Sequence, residues 1–220
     1  ASGSGHDQLL LTLALSGDVL AIEERLNHRV AGGRGADPLG LLESRGILAA
    51  SPALRFHPRT PLGPKGRARF LPAMIAAVSL GEGPIAIHRT FLSTEASGKA
   101  AFEKPKRALG ALGEAAVRLF APVSGKLGLA EGIESAMSAY ALTGIPVWAT
   151  LGNERFGLVG VPESVTELHL FVDHDAGGEL AASRGLSAYA RDGRTIQVRK
   201  PSSHDTDWND ELTAWLRRKA

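Results

Sequence analysis

Residues 126–218 alternate between stretches typical of strands and stretches typical of helices, and no other sequence feature constrains the fold as strongly. Strands are predicted at 126–130, 146–150, 167–172 and 194–199, and helices at 132–143, 178–191 and 207–218. Strands that alternate with helices form a parallel sheet with helices packed on its faces. This half of the chain is therefore predicted to be an α/β domain.

The residues before this alternation predict a different organisation. Their patterns indicate a helix, two strands joined by a turn, and a loop rich in proline, glycine and basic residues, at 38–45, 70–78 with 85–92, and 59–69. In the second strand Ile85 and Ile87 alternate with His88 and Thr90, so the two polar side chains are expected to face away from the apolar pair. We divide the chain into a helical or linker segment (1–36), a basic α+β subdomain (37–122) and the α/β domain (123–220).

Carboxylates follow three of the four predicted strands of the α/β domain. They are Glu131 and Glu134, then Asp173 and Asp175, then Asp205, Asp207 and Asp210. The carboxyl ends of neighbouring parallel strands open onto one crevice of the sheet. Carboxylates gathered there repel one another unless a divalent cation joins them, and hard oxygen ligands suit Mg²⁺ or Mn²⁺. The pattern predicts a metal-dependent site for phosphate chemistry.

Each of these acids also has a structural alternative when it is taken singly. Glu131 and Glu134 would both suit the positive end of a helix dipole. Asp207 would suit the N-cap of the helix that follows it. The repetition of acids after three strands favours the metal site over three independent caps.

Charge is distributed unevenly between the two halves of the chain. Residues 55–107 hold ten Lys or Arg against three acids, a net +7, whereas residues 130–180 hold eight acids and one Arg, a net −7. A basic half joined to an acidic half suits a polyanion that is held by one and processed with metal by the other. The alternative is that these charges are spread over solvated faces.

Several side chains are candidates for contacts with phosphates or bases, and each basic one would strengthen salt-dependent binding to a nucleic acid. They are Arg67, Arg69, Arg89, Lys104, Lys106, Arg107, His88 and Asn153. Ordinary surface charge is the alternative for each basic residue, packing is the alternative for His88, and a turn cap is the alternative for Asn153.

Absent features exclude several classes of protein. The chain has no cysteine, which excludes disulfides and cysteine-ligated zinc. No apolar run approaches the ~20 residues of a membrane span, and no signal peptide is visible, so a cytoplasmic protein without membrane contact is expected. No phosphate-binding loop of the G-x-x-x-x-G-K-[ST] type is present, which excludes a P-loop motor in this chain.

Glu131-Gly132 after a strand, followed by the D-x-D-x-x-G sequence at 173–178, resembles the Toprim domain shared by topoisomerases and bacterial-type primases. The resemblance extends over roughly residues 38–215. Segments in the same order are similar to the motifs of the primase RNA-polymerase core, in the variant of phage, plasmid and integrative-element primases: LESRGI (42–47), RFHP (55–58), RFLPA (69–73), IHR (87–89), KPK (104–106) and DWND (207–210).

This resemblance implies the catalytic core of a DNA primase, which synthesises short RNA primers from ribonucleoside triphosphates on single-stranded DNA. Glu131 would be the catalytic glutamate and a metal ligand. Asp173, Asp175 and Asp207 would complete the Mg²⁺ or Mn²⁺ site, with Glu134, Asp205 and Asp210 as further possible ligands. Arg69, Arg89 and Lys106 would match positions that hold the phosphates of the template or of the incoming nucleotide.

The sequence departs from replicative primases in two respects. Where these place an aspartate four residues after the glutamate, this chain has Ser135, and Glu134 is the nearest substitute. A zinc-binding module and a helicase domain are missing, so unwinding would come from further domains of a longer primase or from a helicase partner. Two alternatives stay open: a Toprim nuclease that cleaves phosphodiester bonds, and a catalytically idle module that binds single-stranded DNA.

Overall fold

The structure, a computed structural model, describes residues 38–64, 66–81, 83–94 and 98–220. The predicted helical or linker segment at 1–36 lies outside them. The helices are α1 (Pro38–Ser44), α2 (Ile133–Thr143), α3 (Ala176–Tyr189) and α4 (Trp208–Lys219), with a 3-10 turn at Asn153–Arg155. The strands are β1 (Leu54–Leu62), β2 (Arg69–Leu80), β3 (Gly83–Phe91), β4 (Lys106–Leu109), β5 (Lys126–Ala130), β6 (Val147–Ala149), β7 (Glu167–Phe171) and β8 (Thr195–Arg199).

The described chain divides into two compact units. The first contains residues 38–44 and 50–112, and the second contains residues 45–49 and 113–220. Residues 113–122, which the sequence assigned to the basic subdomain, thus pack within the second unit. Val117 explains this, because its N–H and C=O both bond to Ala149 of β6 at 3.0 Å and extend that edge of the sheet.

The first unit is built on an antiparallel sheet in the order β1-β2-β3-β4. The loop predicted from residue 59 begins later, because β1 continues to Leu62 despite Pro58 and Pro61. The register with β2 shifts between His57 and Thr60, so Pro58 falls where the regular pairing of this edge strand is interrupted. Proline is tolerated at a bulge and on an edge strand, where its missing N–H breaks no ladder bond.

Strand β3 is buried on both faces, so the side that carries His88 and Thr90 is as buried as the side that carries Ile87. Every residue from Ala86 to Phe91 is buried, including His88 and Thr90. Strand β3 lies in the interior of the sheet, between β2 and β4. Two apolar clusters of the unit contain residues of this sheet, one formed by Leu41, Phe56 and Leu92, the other formed around Ala73, Ile75, Ile87 and Phe91.

The second unit is built on a parallel sheet in the order β6-β5-β7-β8, as the alternation predicted. All seven predicted elements are present, with ends within two residues of their predicted positions. A core that includes Leu127, Leu129, Leu168 and Leu170 packs against α3. On the opposite face, the ring of Phe171 lies over Gly128, where a Cβ would approach it to 2.5 Å. The mixed α/β fold is thereby confirmed.

None of the described helices is both long and apolar enough to cross a membrane.

Candidate active site

Three neighbouring strands of the second unit carry acids beyond their carboxyl ends. Glu131 follows β5 directly, and Asp173 lies two residues beyond β7. Asp207 and Asp210 lie at the start of α4, which follows β8. Because β5, β7 and β8 are adjacent and parallel, these acids open onto the same edge of the sheet.

Asp173 lies at the centre of this group. Partial burial raises the pKa of its carboxyl from 3.8 to about 7, and the negative charges of Glu131, Asp207, Asp175 and Asp210 contribute further, in that order. A carboxyl surrounded by like charges is costly to ionise. The structure therefore brings together five of the predicted acids, with Asp173 at their centre.

The buried Oδ1 atom of Asp173 has no hydrogen-bond donor among the described residues. An acceptor in that state is expensive unless a cation or water satisfies it. Within the part of the chain that the structure describes, no three acids or histidines have the spacing of a preformed metal site. This arrangement fits Mg²⁺, which keeps several waters and is held by one or two carboxylates together with substrate phosphates.

The D-x-D-x-x-G sequence forms a tight turn into α3. Asp175 is the N-cap of the helix, and its Oδ1 accepts a hydrogen bond from the Gly178 N–H at 2.7 Å. A Cβ at Gly178 would lie 1.9 Å from the carbonyl oxygen of Asp173, so only glycine fits there. The close approach of α3 to the end of β7 thus requires a cap at Asp175 and a glycine three residues later.

A capping box organises the acids of the D-W-N-D sequence. Oδ1 of Asp207 accepts from the N–H groups of Asn209 and Asp210, at 2.7 and 2.9 Å. Oδ2 of Asp210 accepts from the Asp207 N–H at 3.1 Å. Asp207 is therefore the N-cap of α4, as its structural alternative predicted. Both carboxylates nevertheless lie close to Asp173.

Two of the predicted acids take other positions. Glu134 is buried in the first turn of α2, and its carboxylate pairs with Arg45 at 3.9 Å. Asp205 is exposed, has a positive φ of 56° and donates its N–H to the carbonyl of His174. Neither is among the charges that raise the pKa of Asp173, so the structure does not bring them into the group.

The predicted phosphate contacts of the first unit divide by burial. Arg67, Arg69, Lys104, Lys106 and Arg107 are exposed. His88 and Arg89 are buried instead, because they lie on the central strand β3. Arg89 donates to the Pro61 carbonyl at 3.1 Å, and its guanidinium lies 5.6 Å from the Phe91 ring centroid.

Asn153 lies beside the start of α3. Its Nδ2 is 2.7 Å from the position that a Cβ of Gly177 would occupy, and Oδ1 of Asp175 is 3.2 Å from the same position. The preceding loop is bonded to the site as well, because the Leu151 N–H donates to the Glu131 carbonyl at 2.8 Å. Leu151 adopts a positive φ of 69°, which is unusual for a leucine.

Sequence reasoning missed the residue that holds this loop in place. Arg155 is buried and donates to three backbone carbonyls, those of Thr150, Gly113 and Ala115, at 2.5, 3.2 and 2.5 Å. Burial lowers its pKa, and the neighbouring charge of Glu154 opposes that shift. An arginine looks the same in sequence whether it is buried or exposed, so no local signal could have identified it.

Two family models match the chain in succession. Residues 40–119 match a domain of unknown function (DUF7146). Residues 126–217 match the Toprim domain, and this range contains Glu131 and all the acids around Asp173. No curated protein matches the chain.

Solved structures of primases share the fold. The DnaG catalytic core is 16% identical, with a TM-score of 0.63, and the match covers 97% of this chain and 78% of that one. A DNA primase domain from Pseudomonas aeruginosa is 14% identical, with a TM-score of 0.52 and coverages of 81% and 68%. The primase fragment of the bacteriophage T7 primase-helicase protein is also 14% identical, with a TM-score of 0.51 and coverages of 84% and 69%. Residues 126–217 are therefore a Toprim domain, carried in a chain with the fold of primase catalytic cores.

Proposed function

We propose that this chain is the catalytic core of a DNA primase, which synthesises short RNA primers from ribonucleoside triphosphates on single-stranded DNA. The observation that carries the proposal is the group of four carboxylates around Asp173 in a Toprim domain. The shared fold with primase cores supports it. Primase chemistry also explains the raised pKa of Asp173, because mutually repelling carboxylates are maintained where a cation will bind them.

The candidate metal ligands in this proposal are Asp173, Asp175, Asp207, Asp210 and Glu131, of which one or two would hold the cation together with water and substrate phosphates. Oδ1 of Asp173 has no donor among the residues that the structure describes, and Asp175 and Asp207 each use Oδ1 for a helix cap. A bound Mg²⁺ or Mn²⁺ would neutralise triphosphate oxygens and stabilise the attacking and leaving oxygens of an in-line displacement.

Glu131 is the proposed catalytic residue. It lies directly after β5. Among the neighbouring carboxylates, its negative charge contributes most to the raised pKa of Asp173. A carboxylate there is suited to accept the proton of the attacking primer hydroxyl, while the hydroxyl oxygen bonds to the α-phosphorus and the bond from that phosphorus to pyrophosphate breaks. Its backbone carbonyl is bonded to Leu151, which links it to the loop that carries Asn153.

The exposed basic residues of the first unit are the proposed contacts for the template strand and the incoming nucleotide. They are Arg67, Arg69, Lys104, Lys106 and Arg107. Each would neutralise phosphate and contribute to a salt-dependent affinity. Arg89 and His88 are buried in β3, and we propose that they support the basic surface without contacting nucleic acid. Asn153 is proposed to contact the nucleotide beside Asp175.

We infer that the protein acts in the cytoplasm and together with a helicase or further domains that expose the single strand. The T7 fragment that shares its fold belongs to a primase-helicase protein. The likeness of the upstream motifs to phage, plasmid and integrative-element primases supports an origin in a mobile genetic element.

A primer-synthesis assay tests the proposal. Single-stranded DNA, four ribonucleoside triphosphates and Mg²⁺ or Mn²⁺ are incubated with wild type, with Asp173→Ala/Asp175→Ala, and with the control Asp192→Ala, which changes an exposed turn residue. Labelled oligoribonucleotides from wild type and the control, and none from the double variant, are expected.

Other outcomes would replace the proposal. Cleavage of the template that depends on Asp173 identifies a nuclease. Binding of single-stranded DNA without any product, unchanged in Glu131→Gln, identifies a binding module.

A further inference from the structure

Asp207 and Asp210 belong to a helix, whereas Glu131 and Asp173 follow strands of the sheet. Their proximity therefore depends on how the first turn of α4 is held against the rest of the second unit. Two buried residues whose side chains can donate hydrogen bonds lie between these acids in the sequence, Trp208 and Asn209.

Trp208 ties α4 to the end of β7. Its Nε1–H donates to the Val172 carbonyl at 3.2 Å, and Val172 immediately precedes Asp173. Its ring meets that of Phe171 edge-on, with centroids 5.0 Å apart and an interplanar angle of 86°. One side chain thus links the helix to the strand end through both a hydrogen bond and an aromatic contact.

Asn209 ties α4 to the helix that follows Glu131. Its Nδ2 donates to Ser138 Oγ of α2 at 3.1 Å and to the Arg45 carbonyl at 2.7 Å. Asn209 and Ser138 are both buried, so loss of the amide would leave acceptors without a donor away from water. The first turn of α4 is therefore attached at two points, one beside Asp173 and one on the element that begins after Glu131.

These attachments act against electrostatic repulsion. The carboxylates of Asp207 and Asp210 act electrostatically on the carboxylate of Asp173. Repulsion between like charges opposes this arrangement when no cation is bound. Buried hydrogen bonds directed to both neighbours hold the carboxylates together, and side chains that orient ligands in this way tune metal affinity.

We propose that Trp208 and Asn209 are positioning residues, which hold Asp207 and Asp210 against Asp173 and so set the affinity of the site for a divalent cation. The inference rests on the proposed function, because it assumes that the carboxylates bind metal. It assigns to the two central residues of the D-W-N-D sequence a role in metal binding without direct contact with the metal.

The test measures Mn²⁺ binding to the whole chain by electron paramagnetic resonance and calorimetry. Trp208→Phe removes the Nε1–H donor and keeps an aromatic ring, and Asn209→Leu removes the amide and keeps its approximate volume. The matched control is Trp215→Phe, the same change on the same helix, at a partly exposed residue whose ring lies 4.2 Å from the Lys219 ammonium.

The two variants are expected to weaken Mn²⁺ binding on the order of 10- to 100-fold, whereas Trp215→Phe binds as wild type does. The Mg²⁺ concentration that half-saturates primer synthesis should rise by the same factor. Unfolding in EDTA, measured in parallel, reports the purely structural cost of each change.

Two results would overturn the inference in distinguishable ways. If both variants unfold more easily but bind Mn²⁺ with wild-type affinity, their role is structural only, and the primase proposal stands. If wild type binds no Mn²⁺, the metal centre itself is refuted, and the positioning role with it.

Discussion

Replacing Asp173 by asparagine should stabilise the metal-free protein while abolishing its activity. The carboxyl of Asp173 is partly buried among four other carboxylates, and its pKa is raised to about 7. The Asp173→Asn substitution would keep the shape of the side chain and remove the charge. An acid retained at a cost in stability is typical of a functional site.

The magnitude follows from the difference in proton binding between the folded and unfolded states. The folded pKa is about 7 and the ordinary value is 3.8, so between these pH values the folded state binds more protons. The free energy of unfolding therefore falls as pH rises through this window, and the full cost is present above pH 7. At about 1.4 kcal/mol per pKa unit, that cost is at most about 4 to 5 kcal/mol, and solvent screening lowers it because the carboxyl is only partly buried.

The assay is urea unfolding in EDTA at pH 5 and pH 8, with wild type, Asp173→Asn and the control Asp192→Asn. Asp173→Asn should be more stable than wild type. Its advantage in the free energy of unfolding should be about 2 to 3 kcal/mol larger at pH 8 than at pH 5. Mg²⁺ at pH 8 should reduce this advantage, because a cation that binds folded wild type stabilises it. The same difference at both pH values, or a more stable wild type at pH 8, would refute the electrostatic reasoning.

Three further changes test other parts of the site. Gly178→Ala should cost about 3 kcal/mol of stability, because the Cβ of alanine would meet the Asp173 carbonyl. Thermal unfolding measures this cost. The control is Gly83→Ala, where a Cβ would meet nothing within 4 Å. Arg155→Met should cost about 3 kcal/mol, because three carbonyls lose their donor; an unchanged urea midpoint would contradict the assigned role. Glu131→Gln should lower the rate of primer synthesis at least about 100-fold and leave the dissociation constant for single-stranded DNA unchanged, as a gel-shift titration would show.

Local sequence patterns were sufficient to predict the strands and helices whose structure depends on residues within the same element. The alternation over residues 126–218 predicted each strand and helix of the second unit, because apolar periodicity and turn residues act within a few residues of the chain. A helix was likewise predicted to begin at residue 178, and the structure shows that Gly178 is required by contact with the backbone of Asp173.

Tertiary structure decided which side chains of similar chemistry share a site. Glu134 and Asp210 are both acids near helix starts, yet Glu134 is paired with Arg45 and Asp210 lies close to Asp173. His88 and Thr90 were predicted to face away from the apolar side of their strand, and neighbours distant in sequence bury them. The physical reason is common to these cases: burial and charge proximity depend on contacts between elements far apart in the chain, whereas propensity and periodicity act within one element.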